Sequence, residues 1–252
     1  MLYIGIPSHN EASTVGLLLW RLRSVMHDVA REYEILVFDD GSTDGTADIL
    51  ASYGEVLPLT VLGGSTRVGY AGALEALVRS AAERTRYPRR DALITMQADF
   101  TDRPEDLPEL IKRFEGGADV VVAERQVTAA WPRPARILQR VAPYVTRAFL
   151  TSLMDVKDPF GTLRAYRISV LRDLLKRKDG APLLGLDGWS ANAELLVAVS
   201  QHARRIEPVP SSPRYELRPR DSRLRPWHGA VEMYRSARAL SRANKRYVAV
   251  PS

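Results

Sequence analysis

Cysteine is absent from the 252-residue chain. That excludes disulfides and thiolate metal sites, and it fits a reducing compartment. Histidine is scarce, and the four residues present (His9, His27, His202 and His228) do not cluster. No apolar run approaches the ~20 residues needed to span a bilayer. The chain opens on a strand-like run without the basic and apolar regions of a signal peptide, so none is expected. Glycine-rich phosphate cradles are also missing. No GxGxxG follows a strand-like run, and no GxxxxGK precedes a Ser or Thr. Any nucleotide bound here would be held by carboxylates and a metal, not by a glycine loop.

What is present is ordinary globular composition, 45% hydrophobic and 26% charged, long enough for a large core in one or two domains. The charge is split. Residues 1–125 hold 13 Lys+Arg against 20 Asp+Glu, and residues 126–252 hold 23 against 10. An acidic first half suits a metal site. A basic second half suits a phosphate, an anionic membrane or a nucleic acid.

The first half alternates strand and helix signals. Strands are expected over Leu2–Ile6, Tyr33–Phe38, Val56–Leu62, Ala92–Met96 and Ala118–Ala123. Between them, apolar residues at 3–4 spacing predict helices from Val15, from Ala47, over Tyr70–Arg84 and over Pro104–Phe114. This alternation predicts an α/β fold with a mostly parallel sheet flanked by helices. Three strands end in polar clusters, at Ser8–Glu11, Asp39–Asp44 and Gln97–Asp102. In open α/β sheets such ends converge on one ligand crevice.

After residue 125 the pattern changes. Trp131-Pro132-Arg133-Pro134 reads as a rigid connector, and a basic helix follows with apolar residues from Ile137 to Phe149 on one side. A strand is expected at Thr162–Tyr166, helices at Val170–Arg177 and Ala191–Ser200, and a short strand at Arg204–Pro208. The Arg214–Arg225 segment reads as a loop. Residues 230–248 read as a basic amphipathic helix, suited either to anionic lipid or to packing on the domain or a second copy of the chain.

These clusters, in this order, resemble the family 2 glycosyltransferases of the GT-A fold, and within them the polyprenyl (dolichyl) phosphate sugar transferases. The residues carrying the likeness are Ile6-Pro7-Ser8-His9-Asn10-Glu11, Phe38 through Thr46, Gly69-Tyr70-Ala71-Gly72-Ala73, Gln97 through Glu105, and Ala123-Glu124-Arg125. The lipid-phosphate branch is suggested by Trp131-Pro132 with Arg136, Val156-Lys157-Asp158-Pro159, Arg164-Ala165-Tyr166, Glu194, and the Arg218, Ser222 and Arg223 loop. The resemblance implies a Rossmann-like nucleotide-sugar half over 1–125, a smaller acceptor-side half of the same domain over 126–229, and a C-terminal tail over 230–252.

By resemblance, Pro7, His9, Glu11, Asp39, Asp40, Gln97, Asp99 and Thr101 bind the nucleotide-sugar. Asp39 has the alternative of orienting its turn. Asp99 and Gln97 are the metal candidates, for Mg²⁺ or Mn²⁺ bridging the diphosphate. Gln97 stands where the family's DxD motif has its first aspartate, and a neutral amide offsets no charge. Asp102 is either recruited to the metal or caps the following helix. Arg125 and Arg136 join Asp99 as catalytic candidates. Together with Arg218, Ser222 and Arg223 they would bind the acceptor phosphate or the donor diphosphate, Arg125 through two parallel hydrogen bonds.

A lipid phosphate is already an anion and attacks without a general base, and one displacement inverts the anomeric centre. A hydroxyl acceptor would need a base, with Asp187 and Glu194 ahead of Asp158. Two alternatives stay open at this point: a hydroxyl-directed transferase, and a degenerate homologue that binds nucleotide-sugar without turnover. The expected partners are a nucleotide-sugar and a polyprenyl phosphate or membrane surface, with a homodimer as a further option and no nucleic acid. The expected location is the cytoplasm, with the inner face of the cell membrane as a peripheral site.

Overall fold

The computed structural model describes residues 1–126 and 156–211, with Arg136, Arg140, Tyr144, Arg238 and Ala239 besides. The connector at 131–134, most of the helix expected from Ile137, the 214–225 loop and most of the tail lie outside the described residues. Arg136, Arg140 and Tyr144 are helical, as are Arg238 and Ala239.

In chain order the elements are β1 (Leu2–Ser8), α1 (Val15–His27), β2 (Tyr33–Asp40), α2 (Thr46–Gly54), β3 (Leu59–Gly64), α3 (Gly69–Arg84) and β4 (Ala92–Thr95). A 3₁₀ turn at Pro104–Asp106 leads into α4 (Leu107–Glu115) and β5 (Val120–Arg125). The remainder are β6 (Arg164–Arg167), α5 (Ile168–Lys178), α6 (Trp189–Ser200) and β7 (Ile206–Ser211). The described strands form one sheet in the order β3-β2-β1-β4-β6-β5-β7. All neighbours are parallel except where β6 runs against β4 and β5.

Alternation along each strand splits the core into two layers. Leu2, Ile4, Ile6, Ile35, Val37, Ile94 and Val121 face one layer, closed by Leu18, Leu19 and Leu22 of α1, Leu50 of α2 and Leu110 and Phe114 of α4. Tyr3, Leu36, Phe38, Leu93, Val120 and Val122 face the other, closed by Leu74, Leu77 and Val78 of α3, Leu171 of α5 and Leu195 and Leu196 of α6. Strands covered on both faces need near-continuous apolar sequence, which is what they have.

The connections through α1 and α2 stay on the first layer, and the connection through α3 crosses to the second. Strand order therefore reverses between β1 and β4. A crevice opens outside the carboxyl ends of strands at such a switch point.

Two strand expectations are corrected. β3 starts at Leu59, not Val56. The amides of Val56 and Leu57 still bond back to the Tyr53 carbonyl at 3.1 and 3.0 Å, finishing α2, and Val56 is exposed. Gly63 and Gly64, read as loop, extend β3 alongside Asp39 and Asp40. Gly63 has φ +90, and a Cβ there would lie 2.3 Å from the Asp39 carbonyl oxygen. Only glycine fits that backbone-to-backbone approach. β7 runs Ile206–Ser211, past the expected end at Pro208. It is a sheet-edge strand, where Pro208 and Pro210 remove no needed ladder donors.

Candidate active site

The ends of β1, β2 and β4 converge as expected. A cleft of about 310 Å³ is lined by Pro7, Ser8, His9 and Glu11 after β1, by Asp40 of β2, and by Gln97, Ala98 and Asp99 after β4. Its other walls are Arg67, Tyr70 and Ala73 around the start of α3, and Gly188 and Trp189 at the start of α6.

The β1 and β2 loops are zipped together by short polar side chains. The Asn10 amide N–H donates to Ser42 Oγ at 2.9 Å, and the Thr43 amide donates to Asn10 Oδ1 at 2.8 Å. The Glu11 amide donates to Thr46 Oγ1 at 3.0 Å and the Ala12 amide to Asp44 Oδ2 at 3.1 Å. Burial raises the Asp44 carboxyl's pKa, but the bonds from Thr46 and Ala12 outweigh it, so its net shift is downward. His9 Nδ1 donates to the Asp40 carbonyl at 2.7 Å, which orients its ring at the cleft.

The two aspartates of β2 divide their work. Asp39 Oδ1 accepts the Ser42 amide, three residues on, at 3.2 Å and so holds its turn, and Asp39 does not line the cleft. Asp40 reaches the cleft, and its carboxylate takes the Val68 amide at 2.5 Å and the Gly69 amide at 3.1 Å. It thus caps α3 at the positive end of the helix dipole. Arg67 Nε stands 3.5 Å from Asp40 Oδ2 with its guanidinium largely in solvent.

After β4, Gln97 and Asp99 both face the cleft. Asp99 Oδ1 accepts the Thr101 amide at 3.0 Å, closing a turn in which Phe100 has φ +61. Thr101 is buried outside the lining, with its Oγ1 unpartnered. Asp102 neither faces the cleft nor caps the next helix. It turns inward, where Oδ2 accepts the Gln97 amide at 2.9 Å and the Thr162 hydroxyl at 2.5 Å. Burial pushes its carboxyl up to about 6, against the pull of those two donors and of Arg125.

Arg125 ends β5 as expected, but outside the cleft lining. The two parallel hydrogen bonds expected for a phosphate are made to Asp158, from Nε to Oδ2 at 2.5 Å and from Nη2 to Oδ1 at 3.0 Å. Arg136 is helical, half-buried and likewise outside the lining. Arg218, Ser222 and Arg223 lie outside the described residues. The expected base candidates are all engaged. Asp187 accepts the Ala71 and Gly188 amides at 3.0 and 2.7 Å, and Glu194 accepts the Gly185 and Leu186 amides, each at 2.8 Å. His202 is half-buried, and burial lowers its pKa.

Below the cleft, Tyr70 donates to Asn192 Oδ1 at 3.0 Å, and burial keeps that hydroxyl protonated. Arg164 is fully buried. Its guanidinium donates to the carbonyls of Asn192 and Pro159, both at 2.5 Å, and to the Tyr166 hydroxyl at 3.2 Å. It therefore ties the 158–162 loop to α6 and β6. Sequence reading missed Arg67, Gly188 and Trp189 as lining residues. Arg67 carries a signal, a cation directly before the matched Gly69 segment. Trp189 carries none beyond being an aromatic after Asp-Gly.

This arrangement is that of a GT-A glycosyltransferase. The structure of glucosyl-3-phosphoglycerate synthase from Mycobacterium tuberculosis, solved with Mn²⁺, UDP and glucosyl-3-phosphoglycerate, matches the whole chain at TM-score 0.69 and 20% identity, covering 81% of that chain. In sequence, the undecaprenyl-phosphate mannosyltransferase of Micrococcus luteus is 30% identical over 81% of this chain and 80% of its own length. The dolichol-phosphate mannosyltransferase of Pyrococcus furiosus is 28% identical over 66% of this chain, which spans only 46% of that protein. The profile of Glycosyl transferase family 2 matches residues 3–175, and the chain belongs to that family.

Proposed function

We propose that the protein moves a sugar from a nucleotide-sugar, GDP-mannose or a UDP-hexose, to a polyprenyl phosphate with inversion at the anomeric carbon. The observation carrying this reading is the reach of the likeness to the undecaprenyl-phosphate mannosyltransferase. It extends over 214 residues and so continues well past the donor half. The excess of basic residues after residue 125 supports an anionic acceptor.

In this reading Pro7, His9, Glu11 and Asp40 hold the nucleoside, and Gln97 and Asp99 face the diphosphate. One carboxylate and one amide oxygen fit a Mg²⁺ or Mn²⁺ ion that takes its remaining ligands from phosphates and water. No group of three or more His, Cys, Asp or Glu able to hold a metal occurs among the described residues, which suits an ion carried in on the substrate. When bound, the ion would supply Lewis-acid stabilisation of the departing nucleoside diphosphate. The acceptor phosphate oxygen forms the new bond to the anomeric carbon as the bond to the diphosphate breaks. No proton has to be removed, which is consistent with Asp158, Asp187 and Glu194 all being engaged in holding loops and an arginine. No helix among the described residues is long and apolar enough to cross a membrane. A lipid acceptor would then be met at a membrane surface.

The test is incubation with nucleotide-sugars, MnCl₂ and a short-chain polyprenyl phosphate, with products read by mass spectrometry. A glycosylated lipid phosphate is expected. Transfer only to hydroxyl acceptors would sink the acceptor assignment, and donor binding with neither transfer nor hydrolysis would mark a non-catalytic homologue.

A further inference from the structure

Trp189 is 41% exposed although it belongs to the wall of the cleft. Its placement is over-determined. Gly188 adopts φ 59, ψ −141, a conformation that disfavours any side chain. Asp187 is tied to the first turn of α3 through the Ala71 amide, and a Cβ on Gly69 would lie 3.1 Å from its carboxylate. The hinge before the ring is therefore pressed between α3 and the cleft. Trp189 also shares a helix face with Asn192, three residues on. The Asn192 carbonyl is anchored to Arg164, whose strand partner is Thr95 at the end of β4. The first turn of α6 is thus tied to the sheet beside the end of β4, and Trp189 shares the cleft wall with Gln97 and Asp99, which follow β4. The polar readers of the base, His9, Glu11 and Asp40, stand on the neighbouring β1 and β2 ends.

From this we infer that Trp189 is a specificity-determining residue that packs its ring against the apolar C–H face of the donor hexose, and not against the nucleobase. A flat ring of this kind selects pyranoses by which face carries axial hydroxyls, while costing little side-chain entropy. The inference rests on the donor reading above.

The test compares nucleotide-sugars with bare nucleoside diphosphates. Binding of UDP, GDP, UDP-glucose and GDP-mannose is measured calorimetrically with MnCl₂ for the native protein, W189A and W189F. W189A is expected to weaken the sugar-bearing ligand roughly tenfold while the matching diphosphate stays within about twofold. W189F is expected to recover most of the loss. W189L, which keeps apolar volume without the ring, replaces W189A if that variant does not fold. Equal losses for diphosphate and nucleotide-sugar would place the ring on the base and overturn the inference. So would no loss in W189A, or a W189F as weak as W189A. A native protein that binds none of the four ligands would instead remove the donor reading itself, and this inference with it.

Discussion

The β1–β2 side of the cleft and the β5–β6 side are held in different ways. On the first, the loops at 8–12 and 41–46 are joined by short polar side chains bonding to main-chain amides, and His9 and Glu11 stay partly exposed at the cleft while Ser8 and Asp40 are buried. On the second, the 158–162 loop is held by buried charged groups, Arg125 alone of them partly exposed, with Asp158 on Arg125, Asp102 on Thr162 and Arg164 on four acceptors. A loop zipped by several short bonds, most of them neutral, tolerates a change at any one point. A loop hung on buried charge tolerates less, because removing one partner leaves the desolvation of the other less well offset. The contrast separates a cleft side from a latch side that must keep its geometry.

The sharpest way to break this comparison is Asp158→Ala. It strips Arg125 of a carboxylate that is 1% exposed and is expected to cost about 3 kcal/mol in denaturant unfolding. A loss below 1 kcal/mol would mean the latch is ornamental. Next comes Gly63→Ala, where the added methyl meets the Asp39 carbonyl. Strain and displacement there are expected to cost about 2–3 kcal/mol, and the same measurement reads it. Thr162→Val removes one donor from the buried Asp102 and is expected to cost about 1–3 kcal/mol. Ser42→Ala, on the neutral side, should cost less than any of these, about 0.5–1 kcal/mol. If Ser42→Ala exceeds Thr162→Val, the two sides do not differ as described.

A further effect is one of pH. The folded-state carboxyl of Asp102 titrates near 6, above its ordinary 3.8, so the folded protein holds that proton more tightly than the unfolded chain does. Its contribution to stability is therefore full below about pH 4 and declines as pH rises to about 6, then stays level. Unfolding of metal-free native protein and Asp102→Asn is compared across pH 4–7. The variant should gain on the native protein as pH rises, and parallel curves would contradict the assignment.

The cleft side was legible because its chemistry is contiguous. Each polar cluster directly follows an apolar run, and parallel strands bring their ends to one edge. The latch side was not legible, because its pairs lie 33 and 60 residues apart and no local pattern links Arg125 to Asp158 or Asp102 to Thr162. A guanidinium after a strand signals only that it will find an anion. The phosphate expected of Arg125 and the carboxylate it meets look alike in sequence. The start of β3 was misplaced for a local reason, since Val56 is β-branched yet belongs to the turn that closes α2. Trp189 escaped because a ring in a loop looks the same whether it lines a cleft or covers a core.

The claim on which the rest depends is that the crevice between the ends of β1 and β4 is the donor site, with Asp99 as its metal ligand. Thermal unfolding of the native protein and Asp99→Ala, each with GDP or UDP in the presence and absence of MnCl₂, tests it most directly. The native protein should show a stabilising shift that is larger with metal, and Asp99→Ala should lose the metal-dependent part while keeping its fold. A metal-dependent shift that survives unchanged in Asp99→Ala would place the metal, and the donor with it, elsewhere.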